Sequence, residues 1–145
     1  MDTSFNQLTD LLAIPSTKRR KVTEPADLEV FVERGLSSKA LHHVHQALSM
    51  TVEEFSPVLG ISARGFYGML KRDRVDMTVS DRLYRVAQVI AAATTGLGSR
   101  PKAIEWMRTP LPALGGATPL SKLRTEIGTA RVHEVLTAIE HGVYV

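Results

Sequence analysis

The sequence predicts an all-α protein, and three observations carry the prediction. Apolar residues recur at three- and four-residue spacing in successive segments. Most segments open on Ser, Thr or Pro and close at Gly, the chemistry of helix starts and stops. No stretch sustains the alternation of a half-buried strand.

Residues 1 to 23 carry a short apolar patch (Leu8, Leu11, Leu12, Ile14) that Pro15 stops, then the basic run Lys18-Arg19-Arg20-Lys21. They read as an N-terminal arm whose basic run either touches phosphates or is solvated. From Pro25, the spacing of Leu28, Phe31 and Val32 predicts a helix ending at Gly35. Ser37 or Ser38 caps a second helix with Leu41, Val44, Ala47 and Leu48 on one face. Thr51-Val52-Glu53-Glu54 has the form of a capping box, and the helix it opens carries Phe55, Val58 and Leu59. Pro57 predicts a kink there. After Gly60 and Ile61, Ser62 caps a helix that turns Phe66, Met69 and Leu70 inward.

Asp73 to Thr78 reads as a loop, with Ser80 or Asp81 capping a long helix that carries Leu83, Val86, Ala87, Ile90 and Ala91. Gly96-Leu97-Gly98-Ser99 breaks that helix. Pro101 sits in the first turn of the next, which holds Ile104, Trp106 and Met107, with Trp106 expected in the core. A connection rich in proline and glycine follows (Pro110, Pro112, Gly115, Gly116). Thr118-Pro119 starts a short helix, and a final helix carries Val132, Val135, Leu136 and Ile139 before Gly142. The expected division is an arm at 1–23, a helix-turn-helix domain at 24–96 and a second helical domain at 97–145.

Two short helices joined at Gly60-Ile61-Ser62, the second capped by serine, match the helix-turn-helix pattern. If the second helix lies in a major groove, Ser62, Ala63, Arg64, Tyr67, Lys71 and Arg72 form its outward set. Arg64 is the candidate base reader, because a guanidinium fork bonds two acceptors on guanine. Ser62, Lys71 and Arg72 suit phosphates. Gly65 and Gly68 each weaken a helix by ~1 kcal/mol relative to alanine, which calls for close approach by something. A helical hairpin with no DNA role is the bland alternative.

Composition narrows the class. With 145 residues, 43% hydrophobic and 23% charged, the chain is sized for one domain or two small ones and excludes a large multidomain enzyme. The absence of cysteine removes disulfides and thiolate metal sites. The acidic, polar opening residues do not resemble a secretory signal, and no apolar run spans a bilayer, so a cytoplasmic location is expected without membrane association. Net charge is +3; between Gly60 and Arg85 six basic residues (Arg64, Lys71, Arg72, Arg74, Arg82, Arg85) face three acidic ones (Asp73, Asp76, Asp81).

Four ordered blocks carry a resemblance: Ser80-Asp81-Arg82-Leu83-Tyr84-Arg85; Ala103-Ile104-Glu105-Trp106-Met107 with Thr109-Pro110; Leu114-Gly115-Gly116 with Thr118-Pro119-Leu120; and Thr125-Glu126-Ile127-Gly128 with Val132 and Ile139-Glu140-His141-Gly142. On these blocks, from about Gly35 onward, the chain resembles the Xre/MbcA/ParS antitoxin family. The resemblance implies an Xre/Cro-like helix-turn-helix domain followed by a toxin-binding domain. It implies a cognate RES-domain toxin that acts on NAD and whose NAD pocket the antitoxin covers, a complex that represses its own promoter, and a homodimer. The recognition helix departs from the family tendency, with Ser62-Ala63-Arg64-Gly65-Phe66 where a more basic and polar start is usual.

Within the second domain, Arg131, Glu134 and His141 are candidate polar contacts to a toxin, and Gly142-Val143-Tyr144-Val145 reads as a tail offering apolar area to a partner groove. His42 and His45 have helical spacing for a metal but lack a third ligand, so no metal site and no cofactor are expected. No phosphate loop, nucleophile elbow or acid–base pair marks an enzyme. The alternative function is a stand-alone helix-turn-helix regulator whose C-terminal domain dimerises or senses a ligand.

Overall fold

Hydroxyl caps set where the chain changes direction. In the computed structural model, which describes residues 3–15 and 21–142, the regular elements among the described residues are all helical: α1 (Thr3–Leu11), α2 (Pro25–Arg34), α3 (Ser38–Leu48), α4 (Val52–Phe55), α5 (Ala63–Leu70), α6 (Met77–Leu97), α7 (Arg100–Met107), α8 (Pro119–Lys122) and α9 (Glu126–Glu140). Single 3₁₀ turns cover Ser56–Leu59 and Pro112–Leu114. The side chains of Thr51, Ser62, Ser99, Thr118 and Thr125 each accept the backbone N–H three residues on. Such a cap stabilises a helix start by about 1 kcal/mol.

The core is organised around α6. Between Val86 and Ala93, Val86, Ala87, Val89, Ile90, Ala91 and Ala93 are all buried, so this stretch is enclosed on nearly every side rather than along one stripe. The patch Leu8, Leu11 and Leu12 is buried, and α1 packs against α6 and α3. Helices α2, α3, α7 and α9 pack on α6 as well. The buried apolar residues form one cluster with members on both sides of the expected boundary at 96–97, from Leu8 to Ala93 before it and Ala103, Met107, Leu123, Val132 and Leu136 after it.

Several local expectations are corrected. The long helix begins at Met77, inside the expected loop, with Asp76 rather than Ser80 or Asp81 at its N-cap. Ser80 is instead buried, where its hydroxyl accepts the Leu36 N–H at 2.8 Å and donates to the Val75 carbonyl at 3.2 Å. Those bonds flank the Val75 N–H to Leu36 carbonyl bond of 2.8 Å and pin the loop before α6 to the start of α3. The Thr51 cap forms, but the Glu54 carboxylate lies 3.6 Å from Arg108 on α7's C-terminal side. Pro57 sits in the 3₁₀ turn that replaces the last part of the α4 helix, as its missing N–H requires. Helix α6 runs through Gly96 and stops at Gly98, whose φ of 95° is left-handed. Trp106 and Leu70 are only half-buried.

Candidate functional surfaces

Helix α5 is fixed from behind and open in front. Phe66 is fully buried, packing edge-on against Phe55 at a centroid distance of 6.0 Å and against His45 at 5.2 Å. Gly60, at φ 71°, makes the turn. There the Arg82 guanidinium donates to the Leu59 carbonyl at 3.1 Å, covering the end of the preceding helix so closely that a side chain on residue 60 would collide with it. The Ser62 hydroxyl accepts the Gly65 N–H at 3.0 Å.

Of the six residues expected on the outward face, Ser62, Arg64, Tyr67, Lys71 and Arg72 are exposed, and Ala63 is half-buried against the core. Arg64, Tyr67, Gly68 and Lys71 follow i, i+3, i+4, i+7 spacing and share one side. Tyr67 is 51% exposed and Gly68 has open space where a side chain would go. Arg72 pairs with Asp76 at 2.9 Å. The basic excess of the segment is smaller than it reads, because Arg82 is turned onto Leu59 and Arg85 onto the Leu123 carbonyl at 3.1 Å. Much of the Ser80–Arg85 block is thus structural.

His45 is committed elsewhere than to a metal. Its Nε2 lies 2.6 Å from the Met50 carbonyl and its ring stacks on Phe55 at 5.9 Å, while His42 and His43 stay exposed.

The second surface lies on α9. Val132, Val135 and Leu136 turn inward. Gly128 brings the start of the helix against the Lys122 carbonyl, where any added methyl would overlap that oxygen. The opposite side presents Ile127, Arg131, Glu134 and His141, all exposed. Arg131 also donates to the Ala113 carbonyl at 3.4 Å, linking this side to the Pro112–Leu114 turn. Gly142 is exposed at φ 77°. The remaining candidates Val143, Tyr144 and Val145 lie outside the described residues. Ile127 was not among the expected contacts, yet it is 78% exposed. Its signal was available: in Thr125-Glu126-Ile127-Gly128 the threonine caps and the glycine permits close packing, which leaves the isoleucine with no local task. Half-buried His133 has its pKa lowered by burial, which penalises the charged ring.

No helix among the described residues is long and apolar enough to cross a membrane.

Residues 91–142 match the family described as the antitoxin Xre/MbcA/ParS C-terminal toxin-binding domain. A protein named Antitoxin Xre from Yersinia enterocolitica is 32% identical over 115 residues, covering 78% of this chain and 78% of that protein. Another Antitoxin Xre, from Pseudomonas putida, is 35% identical over 83 residues, covering 57% of this chain and 52% of its own length. The fold is similar to a chain in the crystal structure of the M. tuberculosis MbcT–MbcA toxin–antitoxin complex, with a TM-score of 0.53 and 24% identity over 74% of this chain and 96% of that one. With a relative 32% identical over 78% of both chains, and the C-terminal family match on the helices that carry the α9 surface, the chain belongs to the Xre family of antitoxins.

Proposed function

We propose that this antitoxin neutralises a RES-domain, NAD-consuming toxin by covering the toxin's active site with its C-terminal domain, residues 97–145, and represses its own promoter through α5 as a homodimer in the cytoplasm. The match of residues 91–142 to a toxin-binding domain carries the first half. The contact surface is Ile127, Arg131, Glu134 and His141, continued by residues 142–145. An exposed isoleucine flanked by charged side chains has the make-up of an interface centre with a polar rim. The mechanism is occlusion rather than chemistry: the antitoxin's own residues need only fill the cleft and exclude NAD.

Repression is supported by α5, which is rigidly backed by Phe66 and turns Arg64, Tyr67 and Lys71 outward. Arg64 reads base edges; Ser62, Lys71 and Arg72 bind phosphates, with Arg72 exchanging its contact to Asp76 for one to the backbone. A dimer places two such helices on half-sites about one helical turn apart.

Co-expression with the toxin encoded beside this gene tests the proposal. The full chain should co-purify with the toxin, restore growth and preserve cellular NAD. A chain that neither co-purifies nor protects would overturn neutralisation. In a separate arm, failure to retard a fragment of its own promoter, with or without toxin, would overturn repression alone.

A further inference from the structure

Helices α2 and α6 leave an open groove of about 470 Å³ between them. It shares no residue with the α5 face or the α9 face. Its shape follows from helical spacing: Pro25, Leu28, Glu29, Val32 and Glu33 occupy one side of α2, and Met77, Asp81 and Tyr84 one side of α6. The floor is apolar, formed by Leu28 and Val32. The walls carry Glu29, Glu33 and Asp81, with no basic residue among the lining. In a chain of net charge +3, this is a local reversal of sign. Met77 stands 56% exposed at its edge, an unusual position for a large apolar side chain and a common one at adaptable binding surfaces.

We infer that the α2–α6 groove is a docking site for a basic amphipathic helix of a partner protein, with an apolar stripe that seats on Val32 and Met77 above the buried Leu28 and lysines or arginines that pair with Glu29, Glu33 and Asp81. Two helices with a trough between them offer a third helix a seat, read through anchors at i, i+3, i+4 and i+7. The carboxylates stand where the flanks of such a helix lie, so charge steers its approach and suppresses acidic competitors. Tyr84, whose pKa is raised by burial and by the nearby Asp81 charge, adds a phenol hydroxyl to the lining.

The test uses the full-length protein and a labelled synthetic peptide of about 18 residues with leucines at helical spacing and lysines elsewhere, beside the same peptide with glutamates for lysines. Fluorescence anisotropy at fixed ionic strength should show binding of the lysine peptide only. The Glu29→Lys/Glu33→Lys variant should weaken it about tenfold or more, as should Met77→Ala, which keeps the charges and serves if the double variant does not fold. The reversal Glu53→Lys/Glu105→Lys, outside the groove, should leave affinity within about twofold. Equal weakening by both reversals, or no binding of the lysine peptide, overturns the inference. So does a change in oligomeric state on sedimentation of Glu29→Lys/Glu33→Lys, which would make the occupant a second copy of this chain.

Discussion

The Arg108 guanidinium, just past α7, donates to the Ser49 carbonyl at 3.1 Å, so a residue from the family-matched region closes the end of α3. Ser49 has a left-handed φ of 49°, and Arg108 also donates to the Leu48 carbonyl at 3.5 Å, so it serves both carbonyls at the end of α3. Replacing Arg108 by alanine should lower unfolding stability by ~1 kcal/mol, since the bond is partly solvated. The 3.6 Å pairing with Glu54 is exposed on both sides, and Glu54→Ala should cost no more than about 0.5 kcal/mol. Urea denaturation of both variants distinguishes the carbonyl bond from the ion pair.

Ser80→Ala should be costlier. It strips the Leu36 N–H and the Val75 carbonyl of partners at a fully buried position, at about 1–3 kcal/mol. A thermal midpoint unchanged from the parent would contradict the role assigned to this hydroxyl.

Arg64→Ala should leave the fold intact while raising the operator dissociation constant by roughly ten- to hundredfold, the value of one bidentate base contact. Arg72→Ala should do less, because the side chain already holds Asp76. Filling the open space at Gly68 with alanine should add up to about 1 kcal/mol of helix stability. If that methyl also weakens operator binding, the glycine serves close approach of DNA. Anisotropy at constant salt, beside a melting curve, reads both.

Ile127→Asp should remove toxin neutralisation with no loss of folded stability, since the side chain is 78% exposed and supports nothing beneath it. A drop in toxin affinity of about 2 kcal/mol or more marks an interface anchor. Full protection by this variant would move the contact surface elsewhere.

His133 gives a pH dependence. Its folded pKa is depressed by burial, so below about pH 6.5 the unfolded chain takes up the proton more readily than the folded one. Its contribution is complete above that value and is lost as pH falls. The denaturation midpoint should therefore decline between pH 7.5 and 5.5, and decline less in His133→Gln.

Local physics made much of this architecture legible. Serine and threonine caps at residues 51, 62 and 118 mark true helix starts, and Gly35, Gly60 and Gly142 true stops, because both are decided within a few residues. What failed to show were the long-range partners. Ser80 looks like a cap until Leu36, forty-four positions away, is found on its hydroxyl. Glu54 looks like half of a capping box until Arg108 is placed beside it. Arg82 and Arg85 look like a DNA-facing charge excess, and only their carbonyl partners on Leu59 and Leu123 withdraw them from the surface. On α9, the polar candidates Arg131 and Glu134 were readable from the helical stripe, and Ile127 was readable only by assigning Thr125 and Gly128 their structural tasks first.

The central position of α6 bears on the lifetime of the protein. Val86, Ile90 and Ala93 are kept dry by helices from both ends of the chain, so a protease that removes residues beyond Gly98 would not leave a self-sufficient N-terminal unit. It would uncover a greasy spine and condemn the remainder to unfolding or degradation. On the proposed function, neutralisation and repression would then vanish together, so that one cut would release both the toxin and its promoter.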